Sequence, residues 1–98
     1  MDITEYGQKL AKATEDSTAL ANAVGTKTGA DAHAAACGTD AGLNVILTGK
    51  DFNGKGIRKT AKSVAGAFFT MKAVAGLERA WHVDSSGKRK LLISRSAL

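Results

Sequence analysis

Ile3, Tyr6, Leu10, Ala13, Ser17, Leu20 and Val24 recur at steps of three and four, which lines them along one stripe of an α-helix. A stripe of that length has to be covered by another element, so the first quarter of the chain constrains everything that follows. Asp2 with Glu5 three residues on is the acidic variant of a capping box, and Met1 is placed to staple against Tyr6. Gly25 is the expected stop. The small side chains Ala13 and Ser17 in mid-stripe admit a second backbone closely, which fits a helical hairpin or a homodimer seam through residues 3–24.

Beyond Gly25, Thr28 and Asp31 repeat the capping-box spacing and Gly38 closes the segment, so a short alanine-rich helix is predicted from Thr28 to Cys37. Leu43 to Thr48 contains the run Val45, Ile46, Leu47, readable as a buried strand or as the last part of a helix opened by Thr39 or Asp40; strand is preferred. From Ile57, the positions Ala61, Val64, Phe68, Met71 and Ala75 predict a helix of about five turns with one core-facing stripe. At 100° per residue from Ile57, Lys55, Arg58, Lys59 and Lys62 project at about 160°, 100°, 200° and 140°, opposite that stripe. Phe69 falls among them at about 120°, where a helix facing water carries polar groups. Either the terminal hairpin covers it, through Trp81, or it is a surface aromatic that touches a partner.

Arg79 to Val83, a turn through Asp84, Ser85, Ser86 and Gly87, and Lys88 to Ser94 read as a β-hairpin with Lys88, Arg89 and Lys90 at its tip. A helix ending at Gly76, followed by Leu77 and a basic-tipped hairpin, resembles the last helix and wing of winged helix-turn-helix proteins. That resemblance implies a helix in the major groove and a wing along the DNA backbone or minor groove. The chain departs from the family in having one long helix where the family has two short ones, so no base-reading residue carries over. The fold class expected is mainly α with a C-terminal β-hairpin, an α+β domain over residues 1–98, loosely winged-helix-like at its carboxyl end.

Charge divides the chain in two. Residues 1–49 carry a net −3 and residues 50–98 a net +8, giving an acidic helical half and a basic half made of helix and hairpin. A basic surface of that size concentrates anions and makes nucleic acid the leading partner class. The cations expected to contact phosphates are Lys55, Arg58, Lys59, Lys62, Lys72, Arg79, Lys88, Arg89 and Lys90; Phe69 and Trp81 are the expected partner-contacting aromatics. No Asn or Gln lies on the basic helix face, so readout of DNA would be weak or through shape.

Catalysis and cofactors find less support. Gly49, Gly54 and Lys55 have phosphate-loop spacing, but Gly56 stands where such a loop needs Ser or Thr for magnesium. What survives is a cradle of backbone amides beside Lys50 and Lys55. His33 and Cys37, four apart on the expected short helix, share a face without completing a metal site. His82 among Arg79, Lys88 and Arg89 has the ingredients of a small ribonuclease but no second catalytic group. No cofactor or metal is expected, and the protein is read as a non-enzyme. The single cysteine excludes an internal disulfide, and no apolar run of membrane-spanning length or signal-peptide pattern is present, so a soluble cytoplasmic protein is expected. A membrane-active peptide over Val64 to Leu77 is disfavoured by Lys72. The function expected is nucleic-acid binding through the phosphate backbone. The alternative is a small protein-binding inhibitor or interaction module, of the kind mobile elements encode against host nucleic-acid machinery.

Overall fold

A computed structural model describes residues 2–39, 42–49, 54–71 and 76–98. The elements run α1 (Ile3–Thr28), β1 (His33–Thr39), β2 (Gly42–Thr48), α2 (Lys55–Met71), β3 (Leu77–Val83), β4 (Arg89–Ser94) and a terminal 3-10 turn, Arg95–Ala97. The strands form one four-stranded sheet in the order β1-β2-β3-β4. β1 and β2 are antiparallel, β2 and β3 are parallel with α2 as the crossover, and β3 and β4 form the antiparallel hairpin. The class is α+β, with two helices and a mixed sheet. The winged-helix resemblance is not confirmed: the hairpin is half of the central sheet, and α2 crosses over between parallel strands with its apolar face on the core.

α1 starts where the capping signal places it, with the Asp2 carboxylate accepting from Thr4 N–H at 3.1 Å. It runs past Gly25 and ends at Gly29, whose φ of 71° only a glycine adopts without cost. Gly25 instead serves the approach of the chain returning over it: a Cβ there would lie 3.1 Å from the Ala30 carbonyl oxygen. At about 1.5 Å per residue the helix is about 39 Å long, which sets the 40 Å long axis of the molecule. Its stripe is buried only from Ala13 onward, through Ser17, Leu20, Ala21 and Val24. Ile3 is 88% exposed, so the helix starts outside the packed core, while the Tyr6 ring reaches Gly38 of β1.

The alanine-rich segment is a strand, correcting the expected helix over 28–37. Ala34, Ala35 and Ala36 pair with Leu47, Ile46 and Val45. Alanine has the highest intrinsic helix propensity, but the scale spans less than about 1 kcal/mol per ordinary residue, and pairing with a strongly β-forming neighbour overrides it. Small side chains on the inner face of β1 also let α1 lie close against it. The run Val45, Ile46, Leu47 is the centre of β2, as expected for a strand.

Both helices pack on one face of the sheet. Leu43, Val45, Leu47, Leu77, Ala80 and His82 point towards them and are buried, while Ile46, Arg79, Trp81 and Val83 point the other way. α2 is rotated from its expected orientation. Ala61, Ala65, Phe68 and Phe69 are its buried residues, a sector centred about 60° from Ile57 on the side of Phe69. Met71, expected in the core stripe, is 82% exposed, and the expected Ala75 lies outside the described residues. Ile93 and the C-terminal turn lie against the same helix, with the Arg95 guanidinium 5.7 Å over the Phe69 ring and its Nε–H donating to the Leu77 carbonyl at 2.8 Å. Among the described residues no helix is long and apolar enough to cross a membrane.

Candidate nucleic-acid interface

The rotation of α2 and the position of β4 next to it build a site that neither segment makes alone. Arg58, Lys59 and Lys62 from α2 and Lys90 from β4 line one open groove of about 280 Å³, floored by Leu91 and Leu92. Among the described residues no carboxylate lines it, and α2 contains no Asp or Glu over its whole length. On α1 the situation is the reverse: Lys9 pairs with Glu5 and Lys12 with Asp16, each at 3.4 Å, so those cations are neutralised by their own helix. Cations gathered without counter-charges repel one another and add nothing to folding. Their natural complement is a polyanion.

Arg58 is half-buried rather than fully solvated, because its position at about 100° falls within the buried sector, in the first turn of α2. It stands near His82, which reaches the core from β3, is 1% exposed and pairs across the hairpin with Lys90. Burial holds the His82 pKa below the ordinary imidazole value; Arg58 and Lys90 push the same way, and Asp84 opposes them. The imidazole beneath the groove is therefore neutral at neutral pH. Asp84 is spent on the turn: its Oδ1 accepts from the Ser86 N–H at 3.0 Å, the Ser86 hydroxyl at 2.6 Å and the Lys88 N–H at 2.9 Å.

The remaining expected contact residues are distributed by strand parity. Lys88 is in the exposed turn, and Lys55 is exposed at the first position of α2. Arg89 and Lys90 are consecutive on a strand and so point to opposite faces: Lys90 into the groove, Arg89 over the Trp81 ring at 5.3 Å on the far side of the sheet. Arg79, opposite Ser94, is on that far face as well. The expected single basic tip is thus two surfaces. Lys72 lies outside the described residues, as do residues 50–53 of the glycine-containing loop.

Phe69 is 1% exposed and belongs to the core, as on the covered alternative, and is not the partner-contacting surface aromatic; α2 itself turns it inward, beneath Arg95. Trp81 does not cover it, since the indole stands on the opposite face of the sheet and donates its Nε1–H to Asn44 Oδ1 at 2.9 Å. His33 and Cys37 sit on a strand, about 13 Å apart at 3.3 Å per residue. Among the described residues no group of three or more His, Cys, Asp or Glu could hold a metal ion. Sequence reasoning missed the roles of Leu91, Leu92 and Asn44. The only advance signal was Asn44 itself, a polar residue inside an otherwise apolar strand. Compared with known proteins, the chain matches no family model, no curated protein and no solved structure.

Proposed function

We propose that the protein binds nucleic acid, without catalysing a reaction on it, by holding the phosphate backbone in the groove between α2 and β4. The observation that carries this reading is the convergence of Arg58, Lys59, Lys62 and Lys90 on one groove with no carboxylate among its described lining residues. Guanidinium and ammonium groups supply charge-assisted hydrogen bonds to phosphate oxygens, and Lys55 and Lys88 extend the field on either side. None of the described lining residues presents a flat amide for bidentate contact with a base edge, which fits binding that follows the backbone. Fluorescence anisotropy of labelled oligonucleotides across a salt series tests it. Binding that weakens steeply with salt and loses slope when Lys59 or Lys90 is neutralised supports the reading; affinity indifferent to both substitutions overturns it.

A second reading has its own observation. Between α1 and α2 lies an open groove of about 500 Å³ lined by Ala23, Val64, Ala67, Phe68 and Met71, the last 82% exposed. Apolar surface left open between two helices suits a protein-binding module or inhibitor, and adaptable methionine suits a partner's side chains. On that reading Met71→Asp abolishes capture of the partner and leaves oligonucleotide binding intact.

A further inference from the structure

We infer that the sheet face turned away from the helices takes unpaired nucleobases on Trp81, so that the polymer held by the α2–β4 groove is single-stranded; this rests on the nucleic-acid reading of that groove.

The strand register builds the platform. Ala35 pairs with Ile46, Ile46 with Trp81 and Trp81 with Leu91, so these four form one row across all the strands on the uncovered face. Cys37, Asn44, Arg79 and Ser94 form the neighbouring row, and Val83 with Arg89 lies on the other side of Trp81. Trp81 is therefore central, and it is held: its Nε1–H donates to Asn44, whose own Nδ2 donates to the Gly42 carbonyl at 2.8 Å. A ring fixed at its polar end presents its π surface without the entropy cost of ordering it. Leu91, 49% exposed, joins this row and also lines the cationic groove.

Charge selects the occupant. The exposed Arg89 guanidinium lies over the indole, and its neighbours in sequence, Lys88 and Lys90, continue the positive charge around the strand. Of the carboxylates on β3 and its turn, Glu78 lies at the bulge and Asp84 is engaged by Ser86 and Lys88. A second copy stacked on this face would bring two cationic faces together. β4 is an edge strand, with Lys90 reaching into the groove on one side and Arg89 standing on the other. A duplex is too stiff to bend around one strand, whereas a single strand turns sharply and splays its bases. Phosphates in the groove and a base on the indole are reached by one such strand passing over β4, with Arg89 exchanging the ring for a phosphate as the base stacks.

The chain has one tryptophan, so its emission reports this face alone. The experiment titrates the full chain with single-stranded oligothymidylate and oligouridylate of about 12 nucleotides and with a duplex of the same length. It follows Trp81 emission and the anisotropy of a label on the nucleic acid together. Both single strands are expected to quench Trp81 and to bind more tightly than the duplex. Arg89→Gln, which removes a phosphate contact, should weaken single-strand binding about two- to five-fold and duplex binding less, and Trp81→Leu should weaken single-strand binding about ten-fold or more while duplex affinity stays unchanged. Lys59→Gln should weaken all three. Should the strands bind in a Lys59-dependent way with Trp81 emission and the Arg89→Gln variant both silent, the groove reading stands and this inference falls. Affinities indifferent to Lys59→Gln and Lys90→Gln would remove the groove reading and the strand path with it. An emission shift that follows protein concentration without nucleic acid assigns the face to a second copy and overturns the inference.

Discussion

The indole of Trp81 and the carboxamide of Asn44 are joined across β2 and β3 by an N–H to oxygen bond of 2.9 Å, and the amide beneath is 1% exposed. Asn44 is thus a buried polar side chain whose oxygen has an indole for its donor, set among Leu43, Val45, Ile46 and Leu47 in β2. Removing it strips the ring of its acceptor and its anchor. Asn44→Ala is expected to destabilise the fold by about 1–3 kcal/mol, measured as a lower urea midpoint at unchanged slope, and to shift Trp81 emission as the ring becomes free to move.

The orientation of α2 is tested by two residues two positions apart. Phe69 is buried under Arg95 and Met71 is 82% exposed, the opposite of what the periodicity from Ile57 predicts. Phe69→Ala should cost about 3–5 kcal/mol, a large share of the stability of a domain this small. Met71→Ala should change stability by no more than about 0.5 kcal/mol. Thermal unfolding of the two variants checks the rotation directly, because an unrotated helix would reverse their order.

Two glycines make opposite demands. Gly7 is exposed within α1, and a Cβ there meets nothing within 4 Å, so Gly7→Ala should stabilise by about 0.5–1 kcal/mol through helix propensity and a less flexible unfolded chain. Gly29 closes the same helix at φ 71°, also with open space around its Cβ, so the cost of Gly29→Ala is purely conformational, about 1–2 kcal/mol. Their midpoints should move in opposite directions, and equal shifts would contradict the helix terminus at Thr28.

Much of this architecture was legible in the residues. The Asp2 cap, the later part of the α1 stripe from Ala13 to Val24, the β2 run and the terminal hairpin rest on local patterns and stand where those patterns placed them, whereas Ile3 and Tyr6 are exposed and the helix runs on past Gly25 to Thr28. β1 was not legible, because three consecutive alanines carry no strand signal and become a strand only by pairing with β2 beneath α1. Nor was the facing of α2, whose buried sector runs through Ala65 and Phe69 and away from the Ile57, Val64 and Met71 stripe. The cations of the site were visible as residue types, but not their partition. That depends on the crossover that sets α2 beside β4, and on register shifts after Leu43 and Ala80 that no local residue announces.

Acid should weaken the fold through His82. Its folded pKa lies below the unfolded value of about 6.5, chiefly because the ring is buried and then because Arg58 and Lys90 are near. In the window between the two values the unfolded chain binds the proton more readily, so stability rises with pH there. It is fully present above about pH 6.5 and is lost as pH falls towards the folded value. Asp84 acts in the same direction at lower pH, since the Ser86 hydroxyl and Lys88 N–H hold its carboxyl below the usual carboxylate range. Urea midpoints are therefore expected to fall steadily on acidification, and His82→Gln should flatten the first part of that decline. A midpoint that rises between about pH 7 and pH 5 would mean that the imidazole gains a partner on protonation and is not held neutral under Arg58 and Lys90.

The groove itself is tested by salt. Each phosphate neutralised by a lysine or arginine releases condensed counterions, so the logarithm of affinity falls linearly with the logarithm of salt concentration. Full engagement of Arg58, Lys59, Lys62 and Lys90 predicts a slope of about −3 on single strands and about −3.5 on a duplex. Lys59→Gln and Lys90→Gln should each reduce the slope by about one unit and weaken binding similarly across sequences. They come from different elements, α2 and β4, and meet only because the parallel crossover brings those elements together. Substitution of Lys9, already paired with Glu5 on α1, should leave the slope unchanged, since that ammonium is far from the groove in sequence and neutralised by its own helix. A slope that falls equally for Lys9→Gln and Lys59→Gln would reduce the interaction to net charge alone, and the geometry of the groove would have no part in it.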